Sequence, residues 1–165
     1  PYVEGVTLDV KTYQGHDGQP VDEDTIAEML VLLVHEARCS NCLIWAKSDR
    51  VVNLVNRLSP GQRTGYIVMN ETEAARAENM HLPLRMQQPQ VVGMHHAMVD
   101  AYHVELLHAA GKQLHTWTVN DAASVRRVLD AGVDALVTNF PHAASEAVEV
   151  LLEACGRNGE SYYGL

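Results

Sequence analysis

The chain has 165 residues, 47% of them apolar and 20% charged, and a formal net charge of −9. This length supports one domain with a real core but not a complete eight-fold α/β barrel, which needs roughly 200 residues or more. The composition excludes a disordered chain, and the acidity excludes nucleic acid or an anionic membrane as the main partner, since both demand clustered Lys and Arg. No apolar run approaches the roughly 20 residues of a membrane span; the most apolar stretch, Ile26 to Val34, is interrupted by Glu28.

Beginning at Pro1 rather than Met, the chain reads as a fragment. Gly5 to Lys11 reads as a strand whose alternation puts Asp9 and Lys11 on one face. Tyr13 to Pro20 is a turn-rich loop. A helix follows from about Asp24, its expected buried stripe being Ile26, Met29, Leu30, Leu33, Val34 and Ala37. Cys39, Cys42 and Cys155 are an odd, sparse set that suits a reducing compartment, though no targeting signal assigns one. Cys39-Ser40-Asn41-Cys42 precedes a strand instead of opening the helix after one, so idle or buried thiols are expected.

Leu43 to Ala46 is a wholly apolar strand of the kind covered on both faces. Ser48 or Asp49 caps a helix that Ser59-Pro60-Gly61 stops. Thr64 to Val68 is a strand, Glu71 to Asn79 a polar helix, and Val91 to Met94 a strand. Asp100 caps a helix ending at Gly111. Leu114 to Val119 is a strand, Asn120-Asp121 supplies the cap of a helix running to about Ala131, and Gly132 ends it. Val133 to Thr138 is the last strand and Ala143 to Ala154 the last helix. Residues 1–156 form one domain and 157–165 a tail. About six strands alternating with helices imply a parallel sheet, open and doubly wound or curled into a barrel.

In either architecture working residues collect at the C-terminal strand ends. There stand Asp9 and Lys11, Trp45 and Lys47, His95 and His96, Trp117 and Asn120, and Thr138 and Asn139. Of the histidine pair, His96 is the expected mouth residue by its later position. His103, His108, His115 and His142 read as surface positions. No dinucleotide, P-loop, serine-hydrolase or zincin motif occurs.

With those residues laid out, the chain resembles the glycerophosphodiester phosphodiesterase family, in particular its plant-type members. The resemblance is carried by Trp117-Thr118-Val119-Asn120 and by Gly132-Val133-Asp134-Ala135-Leu136-Val137-Thr138-Asn139-x-Pro141. Trp45-Ala46-Lys47-Ser48-Asp49, Gly65-Tyr66-Ile67-Val68 and Leu8-Asp9-Val10-Lys11 add to it. It covers residues 5 to 142 and implies α/β architecture: parallel βα repeats forming an incomplete (β/α)8 TIM barrel, about its last six strands. It further implies hydrolysis of glycerophosphodiesters to glycerol 3-phosphate and an alcohol. Asp9 would be a ligand of a divalent cation, Mg²⁺ or Ca²⁺. By the same resemblance Lys11 would contact the phosphate of the small-molecule phosphodiester and Trp117 would form part of the site wall; His96, placed at the mouth by its position and not by the resemblance, is a further expected substrate contact. Asp9-Val10-Lys11 with the Asp17-Gly18-Gln19-Pro20-Val21 turn also resembles the family's second strand, an alternative register.

The family's opening His-Arg-Gly strand, its Glu-x-Asp metal ligands and its histidine pair have no counterpart here, so no catalytic residue is identifiable and the isolated chain is expected to be inactive. A preceding segment or another subunit is expected to cover the open side of the barrel. The competing reading is a non-catalytic barrel serving as an interaction module.

Overall fold

The computed structural model describes residues 4–12, 18–19 and 21–154. The turn expected around Tyr13 to Pro20 and the tail at 157–165 therefore lie outside the described residues, apart from Gly18 and Gln19. Six strands alternate with helices: β1 (Val6–Val10), α1 (Glu23–Glu36), β2 (Cys42–Ala46), α2 (Asp49–Leu58), β3 (Arg63–Val68), α3 (Glu73–Ala77), β4 (Val91–His95), α4 (Ala101–Ala109), β5 (Gln113–Trp117), α5 (Ala122–Asp130), β6 (Ala135–Leu136) and α6 (Pro141–Ala154). Each strand pairs in parallel with its sequence neighbours, in the order β1-β2-β3-β4-β5-β6. A parallel pair needs a crossover long enough for a helix, and each strand-to-strand connection here supplies one. The doubly wound alternative falls, because its strand order reverses at a switch point and this order never does.

Two apolar layers follow from strand alternation. Leu43, Trp45, Ile67 and Val91 share the concave face with Met69 and Trp117. Ile44, Ala46, Val68, Val92, Met94 and Leu114 point the other way, into the main core under the helices. The sheet is thus a curled half-barrel, with a small inner core and a large outer one.

Caps set the helix starts. Asp22, Ser48, Thr72, Asp100 and Asp121 each accept a backbone N–H of the first turn. Asp121 and not Asn120 caps α5, since it is the Asp121 side chain that accepts from Ser124 N at 2.9 Å. Gly132 does take the left-handed conformation, φ 91°, just past that helix. The final strand is only two residues long, and Pro141 opens α6 where its missing N–H costs nothing.

Two expectations are overturned. Met29 and Leu33 of α1 are 59% and 55% exposed, because the face that packs runs through Ala27, Leu30, Val31 and Val34, with Ile26 beside it, and leaves those two at its far edge. Cys39 and Cys42 are not idle thiols but a disulfide, with Cα atoms 5.5 Å apart. Arg38, left-handed at φ 49°, starts the turn that brings them together, and Asn41 ties the turn to β1 by accepting from Val6 N at 3.1 Å. Among the described residues no helix is long and apolar enough to cross a membrane.

Candidate active site wall

At the C-terminal strand ends a pocket of about 200 Å³ is walled by Asp9, Lys11, Trp45, Lys47, Ile67, Trp117, Thr118 and Val137. Asp9 and Lys11 leave β1 on the same face, and Lys11 Nζ lies 2.7 Å from Asp9 Oδ2. Both side chains are more than a third exposed, so the pair sets local charge more than it stabilises the fold. Both tryptophans of the chain lie here. Trp117 ends β5, and the peptide joining it to Thr118 is cis.

Trp45 is the floor. From β2 its indole crosses Gly65 of β3 to Gly93 of β4, where a Cβ would stand 2.8 Å from its Cζ3 and 2.6 Å from Ile67 Cδ1. Bare backbone at two successive strands gives the ring the room to lie flat. Gly93→Val is therefore expected to lower the unfolding free energy by about 2 kcal/mol and to shift tryptophan emission. Thermal unfolding of that variant checks this; an unchanged melting temperature would mean that the indole moves freely.

Of the histidine pair, His95 is the one that turns inward. Its ring meets Trp117 edge-on, with centroids 5.1 Å apart. His96 opens the 3₁₀ turn His96–Met98 and stands on the α5 side, its carbonyl accepting from Arg127 Nη2 at 2.7 Å and its Nδ1 3.4 Å from the same nitrogen. It touches the site only through its ring, 4.4 Å from that of His95. Desolvation first, then His95 and Arg127, push the His96 pKa below its ordinary value. Asn120, released from capping, accepts from Asn139 N at 2.9 Å and so joins the loops after β5 and β6.

His115, expected on the surface, lies half-buried on the concave side of β5 with its ring 6.4 Å from that of Trp45. Burial, with a lesser push from Arg63, lowers its pKa to about 4. The sequence signal was its position two residues before Trp117, which alternation puts on the same face. A larger, shallower depression of about 890 Å³ lies at the other end of the sheet, beside Arg38 and the disulfide.

The divalent cation implied by the resemblance does not fit these residues alone. Such an ion takes about six oxygen ligands. Asp9 supplies one carboxylate, already held by Lys11, and among the described residues no three His, Cys, Asp or Glu side chains converge on a metal position.

The geometry defines the class first: a curled, wholly parallel βα sheet with charged and aromatic residues at its C-terminal rim is part of a (β/α)8-type barrel. Within that class the chain belongs to the glycerophosphoryl diester phosphodiesterase family, whose pattern matches residues 17–143. It is 34% identical over 159 residues to Glycerophosphodiester phosphodiesterase GDPD4 of Arabidopsis thaliana, covering 96% of this chain and 46% of that protein. Its fold superposes with TM-score 0.67 on a glycerophosphodiester phosphodiesterase from Parabacteroides distasonis, at 16% identity, covering 92% of this chain and 58% of that one. A phosphodiesterase from Oleispira antarctica in complex with its product sn-glycerol-3-phosphate gives TM-score 0.65 at 18% identity, covering 88% and 55%. The chain thus spans about half the length of these relatives.

Proposed function

We propose that this chain forms one wall of a glycerophosphodiester phosphodiesterase site, in a parent domain that hydrolyses glycerophosphodiesters to glycerol 3-phosphate and an alcohol. The observation that carries this is the convergence of Asp9, Lys11 and Trp117 on one pocket at the C-terminal rim. Lys11 binds a phosphate oxygen as a charged donor, and the Trp117 face packs against the carbon skeleton. Asp9 orients Lys11 through their ion pair and is the described carboxylate best placed to contribute a ligand to a divalent cation. His96 enters only at the rim, through His95.

The open edges of the sheet favour a second reading, an interaction module. Among the described residues β1 and β6 each pair on one side only, with Val6, Val137 and Phe140 exposed nearby. Two assays on the purified chain separate the readings. With glycerophosphocholine and Mg²⁺ or Ca²⁺, no turnover is expected; turnover would overturn the proposal that the chemistry lies outside this wall. With sn-glycerol 3-phosphate, a saturable change in tryptophan emission is expected, and its absence would leave the module.

A further inference from the structure

The charges around the pocket do not balance, and the imbalance sits on one residue. Asp9 is held by Lys11 at 2.7 Å, and Asp49, two residues beyond Lys47, is held by Arg85 at 2.8 Å. Lys47 is exposed on the pocket wall, and among the described residues it forms no ion pair with a carboxylate. The parallel register sets Asp9 against Trp45 and ends at Val10 against Ala46, so Lys11 and Lys47 are the next residues beyond the ends of two adjacent strands, and both line the pocket. Two like charges side by side on adjacent strands repel. A chain of net charge −9 does not gather cations by composition, and this pocket nevertheless carries two lysines against one carboxylate. The apolar walls of Trp45, Ile67, Trp117 and Val137 strengthen the resulting field.

We propose that Lys47 is a second phosphate-contacting residue, so that Lys11 and Lys47 grip the two free oxygens of a phosphodiester whose single negative charge neutralises the positive-negative-positive row Lys11, Asp9, Lys47. This rests on the reading of the pocket as a phosphodiester wall and adds to it a preference for a monoanionic diester. Lys47 leaves β2 immediately after the Trp45 floor, and the Asp49–Arg85 bond anchors the turn that carries it. Lys47 therefore shares the pocket lining with Lys11 without using up a carboxylate.

The test titrates the 165-residue chain with sn-glycerol 3-phosphate, glycerophosphocholine, inorganic phosphate and glycerol, followed by calorimetry and by emission of its two tryptophans, both of which line the pocket. Wild type is expected to bind the three phosphates and not glycerol, with glycerophosphocholine favoured over inorganic phosphate. Lys47→Gln should weaken the phosphates roughly tenfold and flatten the salt dependence, as loss of one charge-assisted contact predicts. Lys47→Arg should restore most of the affinity. In the absence of ligand, Lys47→Gln should melt no lower than wild type, since it relieves repulsion. Unchanged phosphate affinity in Lys47→Gln, or a lowered melting temperature, overturns the assignment while leaving Lys11 as the phosphate residue. Absence of phosphate binding by wild type overturns the phosphodiester reading itself.

Discussion

Acidifying the solution from pH 7.5 to pH 5 is expected to cost the fold about 2 kcal/mol through His115 alone. The ring lies on the concave face of β5 against Trp45, and burial holds its pKa at about 4, below the ordinary value of 6.5. Arg63 pushes the same way and Asp134 weakly against. Because the folded pKa is the lower one, the unfolded chain binds the extra proton between about pH 4 and 6.5. The stabilisation is therefore whole above pH 6.5 and drains away as the pH falls towards 4. His96, also lowered by desolvation, adds in the same direction. Asp22, Asp100 and Asp121, whose pKa values are lowered by hydrogen bonds at their caps, act only below the ordinary carboxylate range near 3.8. Urea unfolding at the two pH values measures the loss, and His115→Gln should remove most of it. An equally steep pH dependence in that variant would place the titrating group elsewhere.

Asp49→Ala should destabilise the chain by about 3 kcal/mol, and Arg85→Met by roughly half as much. The inequality follows from where each partner sits. The Arg85 side chain is 6% exposed and the Asp49 side chain 35%. Arg85 gives Nε and Nη2 to the two Asp49 oxygens at 2.8 Å, Nη2 also to the Ile67 carbonyl and Nη1 to that of Met80. Its guanidinium lies 4.6 Å from the Tyr66 ring centroid, and the Tyr66 hydroxyl, its pKa raised to about 12 chiefly by burial, donates to the Pro83 carbonyl. Removing Asp49 strands a buried cation, whereas removing Arg85 leaves a carboxylate that water still reaches. The double variant should be more stable than Asp49→Ala alone. Chemical denaturation of the three variants decides, and a larger loss for Arg85→Met would reverse the argument.

Much of this architecture was legible in the chain. The apolar run Leu43–Ala46, the caps at Ser48, Asp100 and Asp121 and the stop at Gly132 are local signals, and local chemistry decides where elements begin and end. What escaped was decided by neighbours remote in sequence. Met29 and Leu33 carry the right period for burial, yet the stripe that packs is set by where α2 and the sheet lie. Position alone favours His96 over His95, but the strand ends at His95 and the next residue turns outward towards Arg127. The disulfide depended on Arg38 adopting a left-handed conformation, which non-glycine residues seldom take. At the site, alternation sufficed to bring Asp9 and Lys11 together. Lys47 could be placed at a strand end from the sequence; that it lacks a counter-charge needed the pairing of Asp9 and Asp49 in space.

The unbroken order of the strands has a consequence for cooperativity. With each strand laddered only to the strands before and after it, the chain resembles a short linear array, tied across its middle where Trp45 reaches Gly93 and His115 and where Arg63 donates to Gln113. A defect in β1 or β6 removes one junction, whereas a defect in β3 or β4 severs the array into two pieces too small to hold alone. Thermodynamic weight therefore concentrates where Gly65, Ile67 and Gly93 carry the indole floor, and the rim bearing Asp9 and Lys11 belongs to the end most free to breathe.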